Sequence, residues 1–276
     1  MAIGPAFPDE ALERANLALK NHRAKDAERI AADVLRVDPR HTRASHILGR
    51  ALLAQGRAVD AVALLENAAR GKHDPEIDTT LAMALRQAGR SEDALIRLRR
   101  TAKRHPRFAP ALRELGSLLF ALDQSEEAIE ALTCGLDVAP MMPELAIQLG
   151  YVFLHRRDCT GAKSAFARAL TIAPNSAEAL FGIAKAHQEI GENETAADHF
   201  RRYLMLRPGD TGAWLALGHC LLEAGQREAG YDCFRAVARN NPERYSEALS
   251  AFVASGHGRF WLRPSAAANF LCGKKS

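Results

Sequence analysis

The stretch from Pro143 to Ser176, PELAIQLGYVFLHRRDCTGAKSAFARALTIAPNS, decides the fold. Pro143 suits the first turn of a helix, where its missing amide costs nothing. Leu149-Gly150 falls in the middle of that helix. Ala162 falls early in a second helix, Phe166 and Ala169 follow at helical spacing, and Pro174 ends it. The proline at its end is one of five, at 106, 140, 174, 208 and 242, each 34 residues after the last. A fixed period of about 20 to 50 residues is the mark of a solenoid, and it outranks any local motif in fixing the fold.

The same offsets return along the chain. The small residue of the first helix is Ala15, Gly49, Ala82, Gly116, Gly150, Ala184 and Gly218. The small residue of the second helix is Ala27, Ala61, Ala94, Ala128, Ala162, Ala196 and Gly230. Four residues later stands a core filler: Ala31, Leu65, Leu98, Leu132, Phe166, Phe200 and Phe234. Two antiparallel helices pack closely only where small side chains meet, and large residues one turn away fill the remaining space. Gly56, Gly89, Gly191 and Gly225 fall between the two helices, where a left-handed backbone is expected.

This pattern resembles the tetratricopeptide repeat, a family of 34-residue helix-turn-helix units. The resemblance covers residues 8–242 as seven units, at about 8–41, 42–74, 75–108, 109–142, 143–176, 177–210 and 211–242. It implies an all-α solenoid wound as a right-handed superhelix. Arg14 takes an apolar place in the first unit. The second unit is one residue short, with Pro75 displaced after Asp74. Thr101 and Tyr203 replace small residues at inter-repeat contacts.

Composition agrees with packed helices: 47% of residues are hydrophobic, Ala and Leu dominate, and no alternating strand pattern occurs. The formal net charge of +4, from 37 basic and 33 acidic residues, is too mild to argue for nucleic acid. The five cysteines, at 134, 159, 220, 233 and 272, form no CxxC pair and fit neither a disulfide framework nor a zinc module. Free thiols point to a reducing compartment, and a cytoplasmic protein is expected. The opening MAIGPAFPDE lacks a basic region followed by an apolar run, so no secretory signal is expected. No apolar run reaches the roughly 18 residues of a membrane span.

Residues 243–255 read as a capping helix, the first half of an incomplete eighth repeat. Residues 256–276 break the pattern as an irregular tail carrying Phe260-Trp261-Leu262. That tail is open to three readings: covering the apolar edge of the array, plugging its groove, or docking on a partner.

The resemblance places the binding surface on the concave face lined by first helices. One row is Asn16, Arg50, Met83, Ser117, Tyr151, Lys185 and His219. A row one turn earlier is Leu12, His46, Thr79, Arg113, Ile147, Phe181 and Leu215. A row one turn later is Leu19, Leu53, Arg86, Phe120, Leu154, Gln188 and Leu222. Core positions repeat in type and these do not, as befits a variable surface on a constant scaffold. His46, Arg50, Arg86 and Arg113 predict an acidic group on the ligand, because a guanidinium donates two hydrogen bonds to a carboxylate. Phe120, Tyr151, Leu154 and Phe181 predict apolar side chains beside it. Some family members clamp chaperone tails with Lys and Asn. Asn16 holds an Asn-type offset but Leu12 the Lys-type one, so that specificity does not carry over.

The basic run Arg97, Arg99, Arg100, Lys103, Arg104 and Arg107 lies on a second helix with almost no aromatic interleaving, which argues against nucleic acid. His219 and Cys220 point to different faces, against a metal site, and His187 holds a core-type offset. No phosphate loop, GxSxG elbow or HExxH occurs. No cofactor is expected. The reading is a non-enzymatic scaffold or adaptor for a protein or peptide. The alternative is a targeting or regulatory subunit of an enzyme, akin to proteins with a catalytic domain after the repeats.

Overall fold

The computed structural model describes residues 8–70 and 73–240. Among them are fourteen helices and no strand. They run in pairs: α1 (Pro8–Lys20) with α2 (Ala24–Val37), α3 (Thr42–Ala54) with α4 (Ala58–Ala68), α5 (Pro75–Gln87) with α6 (Ser91–Arg104), and α7 (Ala109–Ala121) with α8 (Ser125–Val138). Then follow α9 (Pro143–His155) with α10 (Cys159–Ile172), α11 (Ala177–Glu189) with α12 (Asn193–Leu206), and α13 (Thr211–Glu223) with α14 (Arg227–Asn240). The expected helix over 243–255 and the tail at 256–276 lie outside the described residues.

Local chemistry sets the ends of these helices. Asp74, Asp158, Ser176 and Asp210 are side-chain N-caps of α5, α10, α11 and α13, each satisfying an amide that has no partner inside the helix. Asp74 accepts from the amide of Glu76 at 2.9 Å, with Pro75 in the first turn, so the short second repeat is restarted by its own cap. Pro39, Pro106, Pro140, Pro174 and Pro208 each stand two residues past the end of a second helix. The turn inside every hairpin has one residue with positive φ. It is Gly56, Gly89, Gly191 or Gly225 in four of them, and His22, Asp123 and Arg157 in the others.

The small-to-large packing expected from the offsets is made. A Cβ placed on Gly49 would sit 2.9 Å from Leu65, one on Gly116 2.5 Å from Leu132, and one on Gly218 3.0 Å from Phe234. Phe166, Phe200 and Phe234 are fully buried, as are Leu65 and Leu132. Phe166 is closed in from two sides, by Gly150 of its own hairpin and by Gly182 of the next. Thr101, on a second helix, is buried by returning its hydroxyl to the carbonyl of Arg97, four residues back, at 3.0 Å.

The chain divides into two compact units, Met1–Pro140 and Met141–Ser276. In the first unit α1, α3, α5 and α7 touch in succession, and in the second α9 touches α11. Among the described residues no second helix makes comparable contact with the second helix of the neighbouring repeat. First helices therefore crowd together from α1 to α7 and between α9 and α11, while second helices splay apart.

Candidate functional site

The first-helix wall of the first unit carries eight of the expected residues. Asn16, His46, Met83, Arg86, Arg113, Ser117 and Phe120 are half-buried, and Arg50 is exposed. Their polar groups meet across neighbouring helices. Arg50 Nη1 donates to Asn16 Oδ1 at 3.4 Å, and Arg86 Nη1 donates to Ser117 Oγ at 3.1 Å. His46 Nδ1 lies 3.2 Å from Glu76 Oε2. Burial pushes the His46 imidazole below its usual value, with Glu76 opposing that shift and Arg50 adding to it.

One residue of this wall escaped the sequence reading. Glu114 is buried, and its carboxylate receives Arg113 Nη2 at 2.6 Å and lies 4.0 Å from Arg86 Nη2. Its offset is held by Glu13, Ile47, Thr80, Gln148, Gly182 and Ala216 in the other repeats, a mixed set, so no offset singled it out. Arg86 and Arg113 are therefore already neutralised from within. Arg50 is exposed and, among the described residues, its side chain donates to an amide oxygen, that of Asn16, so its charge is offered outward.

The second unit carries the remaining five: Tyr151, Leu154, Phe181, Lys185 and His219, all half-buried. Three of them ride on the core fillers 15 residues later. The Tyr151 ring meets Phe166 edge-on at 5.1 Å, Lys185 Nζ stands 6.0 Å from the Phe200 centroid, and His219 meets Phe234 edge-on at 6.0 Å. Phe181 lies between Phe200 at 5.8 Å and Tyr203 at 5.2 Å. The Tyr203 hydroxyl donates to Asp210 at 2.5 Å, and that bond pushes its pKa up to about 12. Lys185 also donates to Gln188 Oε1 at 3.1 Å. In the first unit the fillers at this place are Leu65, Leu98 and Leu132, so the aromatic shelf belongs to the second unit.

Several outward assignments from the flanking rows are corrected. Leu12, Thr79, Ile147 and Leu222 are buried. Leu222, for one, packs against Gly230 of its own second helix, where an added Cβ would lie 2.8 Å from it. Thr79 turns its hydroxyl back to the carbonyl of Pro75 at 2.6 Å.

Other candidates resolve simply. His187 is buried with its Nδ1 on Glu192, and Lys163 reaches the same carboxylate at 2.7 Å. These two partners, Lys163 foremost, hold the Glu192 carboxyl below its usual range. Burial pushes the Cys220 and Cys233 thiols up to about 11, which makes them poor ligands and nucleophiles at neutral pH. In the basic run, Arg97 is tied to Asp78 at 2.5 Å and Arg99 to Glu127 at 2.7 Å. Among the described residues no group of three or more His, Cys, Asp or Glu could hold a metal ion, and no helix is long and apolar enough to cross a membrane.

Models of the tetratricopeptide repeat match residues 12–75 and 147–213 in one case and 52–115 in another, together more than half of the chain. The chain belongs to the tetratricopeptide repeat family. Comparison with curated protein sequences gives no match. Among solved structures, PilF of Pseudomonas aeruginosa is similar over 76% of this chain and 94% of its own, at 17% identity and a TM-score of 0.62. A thermophilic tetratricopeptide repeat protein of Thermus thermophilus is similar over 66% of this chain and 99% of its own, at 23% identity and a TM-score of 0.54. MamA of Desulfovibrio magneticus RS-1 is similar over 61% and 97%, at 22% identity and a TM-score of 0.53. At these identities the likeness is one of fold. The tetratricopeptide solenoid is a scaffold architecture, with side chains varied on one wall and a constant core behind them.

Proposed function

We propose that this tetratricopeptide repeat protein is a non-enzymatic scaffold that binds a polypeptide along the first-helix walls of its units. The observation that carries this reading is the row Asn16, Arg50, Met83, Ser117, Tyr151, Lys185 and His219. It is exposed or half-exposed throughout, varies from repeat to repeat, and stands on a repeating core. A ligand carboxylate suits Arg50, whose planar fork is unopposed by any acidic side chain at hydrogen-bonding distance among the described residues. Apolar ligand side chains suit the shelf of Tyr151, Phe181 and Lys185, where rings already packed against the core lose little freedom on binding.

Affinity purification with mass spectrometry tests this. The parent chain is compared with an Arg50→Glu/Lys185→Glu double variant, whose sites are solvent-accessible and leave the core untouched. Arg113 is unsuitable, since an acid there would face buried Glu114. Loss of the parent's partners at unchanged helicity is expected. An unchanged partner set would reject the wall as the binding surface.

A further inference from the structure

On the second-helix side of the second unit, α12, α13 and α14 enclose an open pocket of about 650 Å³. Its wall is mainly apolar and includes Leu204, Met205, Trp214, Leu217, Cys233 and Ala236. Three positions of its wall differ in type from the repeat before it. One repeat earlier the matching places are filled: the His187 and His199 rings stack there at 5.4 Å, and Arg202 reaches across to the carbonyl of Pro174 at 3.0 Å. In the last described hairpin those places hold Leu221, Cys233 and Ala236, which are smaller or lack the reach to close the gap. Met205 stands 83% exposed at the rim. An apolar concavity of this size binds a short segment rather than one side chain.

We propose that this pocket receives the chain's own Phe260-Trp261-Leu262. The inference is independent of the binding wall, since none of the wall residues, His219 of α13 included, lines the pocket. Three observations favour this occupant. Ala236 lines the pocket near the end of α14, and 36 residues follow Asn240, so the segment starts beside its receptor. The 19 residues between Asn240 and Phe260 can span up to about 60 Å, against about 21 Å for the length of α14. The charged side chains of the pocket wall are already paired, Asp232 with Arg235 at 2.9 Å and Arg201 with Asp198 at 2.7 Å, so what the pocket offers is its apolar surface. Three consecutive large apolar side chains, Phe260, Trp261 and Leu262, match that surface and leave water on entering it.

The test uses the full chain with p-benzoylphenylalanine in place of Trp261, irradiated in dilute solution, with adducts mapped by mass spectrometry. An intrachain adduct on Met205 or its neighbours on α12 and α14 is expected. Ala236→Arg, which restores the filler found one repeat earlier, should lower its yield about tenfold or more. Ala229→Arg, at an exposed position lining the same pocket, should do likewise and bears no risk to folding. Adducts formed between chains, adducts elsewhere on the chain, no adduct at all, or a yield indifferent to both arginines would each overturn the proposal.

Discussion

Gly150 lies against the ring of Phe166, so close that a Cβ on Gly150 would fall 2.7 Å from Cε1 and Cζ of that ring. The ring cannot retreat, because Gly182 blocks its other side. Gly150→Val should therefore destabilise the protein by about 1–3 kcal/mol through overpacking. Thermal unfolding followed by circular dichroism measures this. Adding Phe166→Leu, the filler type used by the first unit, should recover part of the loss, since contacting sites are not additive. An unaltered melting temperature for the single variant would show that these helices do not cross here.

The hairpin turns offer a cleaner backbone test. Gly191 has φ of +78° with nothing within 4 Å of an added Cβ, so Gly191→Ala carries a conformational cost alone, about 1 kcal/mol. Arg157 holds the same place in its hairpin at φ 58°. Arg157→Gly relieves that strain, offset by the greater freedom of glycine in the unfolded chain, and should be neutral to stabilising by about 0.5 kcal/mol. Gly191→Ala should lower the melting temperature, and Arg157→Gly should leave it unchanged or raise it.

Buried Glu114 and its arginines form an asymmetric pair. Removing Arg113 leaves a buried carboxylate with only Arg86, 4.0 Å away, so Arg113→Ala should cost about 1–3 kcal/mol. Glu114→Gln keeps the shape and should cost less, while releasing two guanidinium groups into the wall. Denaturant unfolding ranks the two. The Glu114→Gln protein should also bind a fluorescein-labelled tetraglutamate peptide more tightly than the parent at low salt, read by anisotropy.

Two histidines give the molecule a pH-dependent stability. Burial lowers the pKa of His46 and of His199 from 6.5, with His187 and Arg202 adding to the shift at His199 and Asp198 opposing it. The folded state therefore binds these protons less readily than the unfolded chain. Stability is full above about pH 6.5 and falls as pH drops from there toward the lowered folded-state values. The melting temperature should decline between neutral pH and pH 5, and less steeply in a His46→Gln/His199→Gln double variant. Equal slopes would show that other groups carry the acid sensitivity.

The architecture was legible because each determinant is a fixed offset. Gly150 and Phe166 stand 16 residues apart, and the same spacing recurs from Gly49 to Leu65 and from Gly218 to Phe234, so one hairpin read correctly gives them all. The positive-φ turns at His22, Asp123 and Arg157 were hidden, because no glycine marks them. The exposed row was legible at Arg50 and Lys185. It misled at Leu12, Thr79, Ile147 and Leu222, because an offset does not say how much of a position the adjacent helix covers.

The sequence by itself determined the repeat, the helix pairs and the small residues at each crossing, since all of these follow from spacing along a single chain segment. Only the tertiary structure decided that Arg86 and Arg113 converge on Glu114, that Tyr151, Lys185 and His219 stand on buried rings, and that Ala236 lines an open pocket while Arg202, one repeat earlier, reaches the carbonyl of Pro174. Those relations join side chains from different helices. Their partners are chosen by rotamer, burial and the shape of the neighbouring hairpin, none of which a period of 34 residues specifies.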